Sequence, residues 1–90
     1  MDRAAEMTAF VTAVENGGFS AAARTLGLTP SALSKLVSRL EDRLGARLLH
    51  RTTRRLQLTP EGETFYNRAQ RILSAMDEAE AEVSESAASP

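Results

Sequence analysis

The chain has 90 residues with 11 Lys and Arg, 12 Asp and Glu, one His and no Cys, for a formal net charge of −1. That length allows one domain with a modest core. The lack of cysteine excludes a disulfide framework and a thiolate metal site, and His50 by itself cannot build a histidine cluster. No metal and no other cofactor is expected.

Apolar runs are only a few residues long, and the N-terminus carries Asp2, Arg3 and Glu6 where an export signal would need a basic region and an apolar run. The expectation is a soluble, cytoplasmic chain with no membrane segment. Net charge hides a strong asymmetry. Between 35 and 55 stand Lys35, Arg39, Arg43, Arg47, Arg51, Arg54 and Arg55 against only Glu41 and Asp42. Between 77 and 85 stand Asp77, Glu78, Glu80, Glu82 and Glu85 with no basic residue. The middle of the chain is therefore suited to a polyanion although the total is not.

Ala4, Met7, Phe10, Val11 and Val14 recur at spacings of three and four, which predicts a first helix from about Arg3 to Asn16, stopped by Gly17-Gly18. Ser20 is read as the cap of a two-turn helix over Ala21 to Leu26, ended by Gly27. Thr29 as N-cap and Pro30 as first helical residue begin a third helix, about Pro30 to Leu44, with Leu33, Leu36, Val37, Leu40 and Leu44 on its apolar stripe and Gly45 after it. The runs 47–51 and 56–58 read as strands of a small hairpin with Thr52-Thr53-Arg54-Arg55 at its tip.

Thr59-Pro60-Glu61 repeats the cap-then-proline start, with Glu61 and Glu63 in the first turn at the positive end of the helix dipole. In the long fourth helix Phe65, Ala69, Ile72, Met76, Ala79 and Val83 follow the heptad spacing of a coiled-coil seam that wants a second helix. Continued to about Ser84, it would run roughly 35 to 40 Å, beyond what a domain of this size covers by itself. Ser86 to Pro90 has a linker's composition.

Two helices joined by a short Gly-containing turn, the second longer and basic, fit a helix-turn-helix, although an ordinary helical hairpin has the same signature. The outer face of the third helix favours the former. Ser31, Ala32, Ser34, Lys35, Ser38 and Arg39 are slim where a solvated helix carries long charges, with hydroxyls for base edges and cations for phosphates. Serines discriminate bases less sharply than an Arg or Asn fork, so water and DNA shape would carry part of the specificity. Arginines on a protruding tip suit phosphates or a narrow minor groove, whereas Arg43 and Arg47 are open between DNA contact and a local role.

Several motifs occur together in order: Phe10-Val11 with Gly18-Phe19-Ser20-Ala21-Ala22-Ala23, Leu26 with Leu28-Thr29-Pro30-Ser31-Ala32-Leu33-Ser34, Leu40-Glu41 with Leu44-Gly45, Leu48-Leu49-His50-Arg51, and Leu58-Thr59-Pro60-Glu61-Gly62. In these the chain resembles, over nearly its whole length, the amino-terminal domain of LysR-type transcriptional regulators. The resemblance implies a mainly α fold with a β-hairpin wing, a winged helix-turn-helix followed by a linker helix that pairs antiparallel with its copy, and binding to partly palindromic promoter DNA.

Carried over by position, the base-reading region falls on Pro30, Ser31, Ala32, Ser34, Lys35 and Ser38, the wing contact on Arg54, and the arginine at the base of the wing on Arg51. With the flanking Arg39, Thr52 and Arg55 these are the expected DNA-binding residues. Many members have Gln at the place of Pro30, which removes a base-reading side chain, and Phe at the place of Leu49, which alters core packing.

The expected division is a winged helix-turn-helix over 1–59, a dimerising linker helix over 60–85, and over 86–90 the start of a hinge to a carboxy-terminal effector domain outside this chain. Small effectors would be bound only there, and the longer regulator would form tetramers. Catalysis is not expected: there is no Gly-rich phosphate loop, and Glu61 and Glu63 diverge on a helix. A protein-interaction module would use the seam but leave the basic tip and the serine face without a role. Phe10, Phe19, Phe65 and Tyr66 are not arranged as stacking platforms for single-stranded RNA, and Phe10 and Phe19 read as core.

Overall fold

The computed structural model describes residues 2–51 and 56–88. Its elements are α1 (Arg3–Asn16), α2 (Phe19–Leu26), α3 (Pro30–Leu44), β1 (Leu49–His50), β2 (Gln57–Leu58) and α4 (Pro60–Ala88). Thr52, Thr53, Arg54 and Arg55, expected at the wing tip, lie outside the described residues.

Helix α1 is capped by the Asp2 carboxylate, which accepts from the Ala5 N–H at 3.0 Å. It is surrounded by α2, α3 and α4. For that reason it buries more than the single expected stripe: Ala9, Phe10 and Ala13 are fully enclosed, while Ala4, assigned to the stripe, is exposed. Where helices close in from several sides, alanines allow near approach and the apolar pattern no longer traces one face.

Helix α2 corrects the expected cap. It starts at Phe19 with Gly18 as N-cap and no side-chain hydrogen bond, so Ser20 is an exposed residue of the first turn. The reversal is completed within Gly17-Gly18, and the helix begins early enough to bring Phe19 against the core. Gly27 ends α2 at φ 68°, a left-handed conformation that costs glycine little, and its compactness lets α3 begin three residues later.

Helix α3 starts as its sequence indicates: Thr29 accepts from the Ala32 N–H at 3.1 Å, and Pro30 stands where no N–H is needed. Leu33, Val37 and Leu40 are fully buried, whereas Leu44, at the end of the stripe, is largely exposed. The hairpin is shorter than the runs that announced it, an antiparallel pair with Leu49 opposite Leu58 and His50 opposite Gln57. Leu48 and Leu49 both enter the core.

Thr59 fastens the hairpin to α4. Its N–H donates to the Leu48 carbonyl at 3.0 Å, and its hydroxyl donates to the Arg47 carbonyl at 2.6 Å and accepts from the Gly62 N–H at 2.9 Å. One side chain thus serves as helix cap and as tie to the segment that leads into β1.

Helix α4 packs through Phe65, Tyr66, Ala69 and Leu73, with the Phe65 ring 5.8 Å from that of Phe10. The Tyr66 hydroxyl donates to Glu15 at 3.4 Å, and burial together with that carboxylate holds its phenol above the ordinary value. From Ser74 onward every described residue is exposed, and the helix continues through Ala88, past the expected end near 84. The segment expected to be linker contains Ala87 and Ala88, strong helix formers that extend the last turn. At 29 residues α4 is about 43 Å long, which accounts for overall dimensions of 54 × 25 × 24 Å.

Candidate nucleic-acid interface

The turn between α2 and α3 presents one long edge of α3. Pro30, Ser31, Lys35 and Arg39 are exposed, and Ala32, Ser34 and Ser38 are half-buried beside them. Residues 31, 34, 35 and 38 are separated by three and four positions and so share one face. Neither Lys35 nor Arg39 is engaged in an ion pair among the described residues.

The other cations of this region behave differently. Arg43 donates to the same Glu6 oxygen from Nη2 at 2.8 Å and from Nε at 3.1 Å. Arg47 and Arg51 both donate to Oε1 of Glu41, at 3.0 and 2.8 Å. Glu6 and Glu41 are only 2% and 4% exposed, so each carboxylate would be costly without a paired cation. Of the five basic residues described between 35 and 51, three therefore neutralise carboxylates of this chain. For Arg43 and Arg47, open in the sequence between DNA contact and a local role, the described contacts are within the chain.

Glu41 is the centre of this arrangement. Its second oxygen accepts from the N–H groups of Leu48 and Leu49, at 2.8 and 3.3 Å, and thereby fixes where the chain leaves α3 and enters β1. Arg51, at the foot of the hairpin, lies with its guanidinium carbon 5.4 Å from the centre of the Phe19 ring and donates from Nη1 to the Ser38 hydroxyl at 3.2 Å. The expected contact residue Arg51 is thus engaged within the fold, with a side chain 29% exposed.

Glu6, Glu41 and Phe19 were not singled out as determinants of this surface. A signal for Glu41 was present, since it follows Val37 by four residues on the buried stripe. The tie of Glu6 to Arg43 spans 37 positions and has no local signal.

The expected seam on α4 is divided by the fold. Ala69 is fully buried and Phe65 packs on Phe10 within the same chain, so these two belong to the domain's own core and are withdrawn from the pairing face. Ile72, Met76 and Val83 are 49%, 42% and 69% exposed, and Ala79 is exposed between the last two. Among the described residues no group of three His, Asp or Glu could hold a metal ion, and no helix is long and apolar enough to cross a membrane.

The sequence model of bacterial regulatory helix-turn-helix proteins of the lysR family matches residues 4–63. The chain belongs to this family. The matched residues of this LysR-family chain take in the three helices, the hairpin and the start of α4. It is 54% identical over 78 residues to the HTH-type transcriptional regulator CrgA of Neisseria meningitidis, covering 87% of this chain and 26% of CrgA. It is 49% identical over 75 residues to PtxR of Pseudomonas aeruginosa, covering 83% and 24%. The crystal structure of the BenM_DBD/catB site 1 DNA complex superposes with a TM-score of 0.90 at 33% identity, over 100% of this chain and 99% of that one. The LysR-family chain spans about a quarter of the length of the curated relatives it matches.

Proposed function

We propose that this LysR-family chain is the sequence-specific double-stranded DNA-binding part of a transcription regulator, acting as a homodimer. The observation that carries the reading is the slim outer edge of α3, with Lys35 and Arg39 in no ion pair among the described residues, in the fold that BenM_DBD presents in its DNA complexes. On this reading Pro30, Ser31, Ala32, Ser34 and Ser38 lie against base edges in the major groove, and Lys35 and Arg39 reach the adjoining phosphates. Thr52, Arg54 and Arg55 contact the minor groove or the backbone beside it.

Pairing rests on Ile72, Met76, Ala79 and Val83, the exposed remainder of the seam. Charge favours an antiparallel arrangement. Two helices crossing near Met76 bring Arg68 and Arg71 of each copy to the acidic stretch between Glu78 and Glu85 of the other, whereas parallel helices would set acidic ends side by side. The whole regulator, on the same reading, works in the cytoplasm, binds its small effector in a carboxy-terminal region beyond this chain and assembles into tetramers. The much greater length of the curated relatives supports that part, and native mass measurement tests it.

Selection from a randomised duplex library at near-physiological salt tests the DNA reading. Enrichment of a roughly two-fold symmetric site is the expected result. No enrichment over a scrambled control would overturn sequence-specific reading and favour a protein-interaction role for the seam.

A further inference from the structure

Four side chains, Ser38 and Glu41 of α3, Phe19 of α2 and Arg51 after β1, meet at the edge of α3. Glu41 holds one arm of the Arg51 guanidinium at 2.8 Å, the Phe19 ring lies 5.4 Å from its central carbon, and the other arm donates to Oγ of Ser38 at 3.2 Å. Carboxylate and ring fix the plane of the guanidinium, so the direction of its remaining N–H groups is set by the fold.

The consequence falls on Ser38. A guanidinium has only donors, so the hydroxyl must accept from it and turn its own proton elsewhere. A helical hydroxyl can donate to the carbonyl four residues back. Thr25 and Thr64 do so here, to Ala21 at 3.1 Å and Pro60 at 3.2 Å, but Ser38 makes no such bond among the described residues. Its proton has no acceptor within the described chain, and its position on the line of Ser31, Ser34 and Lys35 faces the proposed groove.

We propose that Arg51 is a positioning residue that presents the Ser38 hydroxyl to DNA as a donor, so that Ser38 selects a base edge offering an acceptor. The inference rests on the DNA-binding reading above. It replaces the expectation that Arg51 itself touches DNA. In the major groove such acceptors are guanine N7 and O6, adenine N7 and thymine O4, whereas cytosine N4 offers only a donor.

The test compares wild type, Ser38→Ala, Arg51→Lys and the double variant in duplex selection, followed by affinity measurements on the selected site. Lysine retains a positive charge for Glu41 but lacks the planar fork. Ser38→Ala is expected to flatten the preference at one base pair about 3- to 10-fold, the scale of one hydrogen bond. Arg51→Lys should flatten the same base pair, and the double variant should lose no more than Ser38→Ala.

Removing the acceptor in the selected duplex, with a 7-deazapurine or a 4-thiothymine at that position, should reproduce the loss in wild type and have no effect in Ser38→Ala. If Arg51→Lys does not fold by circular dichroism, this base-analogue experiment decides the donor assignment. An unchanged profile for a folded Arg51→Lys, additive losses in the double variant, or a uniform affinity loss in Ser38→Ala would overturn the proposal. So would a preference in Ser38→Ala lost only for the cytosine amino group. Absence of any enriched site with wild type would overturn the DNA reading itself, and this inference with it.

Discussion

Arg43 and Glu6 are 37 positions apart, and the guanidinium reaches the buried carboxylate at 2.8 Å, joining the end of α3 to the first helix of the chain. Glu6 is 2% exposed and Arg43 28%, so the anion is the buried partner and the cation lies at the solvent boundary. Removal of the two partners should therefore have unequal consequences.

Arg43→Ala strands the Glu6 carboxylate in the core and is expected to cost about 2 to 3 kcal/mol in urea unfolding. Replacing both members by apolar residues, Glu6→Leu with Arg43→Met, should recover most of that loss. Equal destabilisation by the single and double changes would show that the contact, and not the stranded charge, sets the energy.

Gly62 is required by a close approach. A Cβ at this position would stand 2.9 Å from the carbonyl carbon of Leu48 and closer still to its oxygen, the atom that accepts from the Thr59 N–H. Gly62→Ala is expected to push α4 off the hairpin and destabilise by at least about 2 kcal/mol. Gly18→Ala, with open space around the added methyl, should be close to neutral in the same melt.

Arg54 is expected to act through phosphate or the minor groove. Arg54→Ala should weaken DNA binding and lower the slope of log affinity against log salt by about 0.9, the value for one phosphate contact, with dimerisation unchanged. An unaltered affinity at matched salt would remove Arg54 from the interface.

Ile72→Asp or Met76→Asp places a charge among the half-exposed apolar side chains of the proposed pairing face. Each should shift sedimentation toward monomer and reduce affinity for a duplex with two half-sites far more than for one. The unaltered protein sedimenting as a monomer would end the paired-helix reading. Ala69→Asp should instead unfold the domain, because that residue is fully enclosed within its own chain.

Local chemistry was enough to set the order of the elements. Thr29-Pro30 and Thr59-Pro60 start helices because a hydroxyl cap and a proline both suit a first turn, and the leucines of α3 declare its buried side by spacing alone. The serine face of that helix was legible for the same reason, since which side chains share a helical face depends only on 3.6 residues per turn. Ser20 is not the cap because a cap depends on where the preceding loop turns, and Gly17-Gly18 completes the turn two residues too soon for it.

Which of the cations is available to DNA was a matter for the tertiary structure. Arg39 and Arg43 stand four residues apart on the same helix, yet among the described residues only Arg43 of these two meets a buried carboxylate; the difference comes from Glu6 and Glu41, which packing buries and which then need partners. Tertiary packing likewise divided the heptad of α4. A repeat records which residues shun water, but only the position of Phe10 shows that Phe65 and Ala69 are satisfied at home while Ile72, Met76 and Val83 stay exposed.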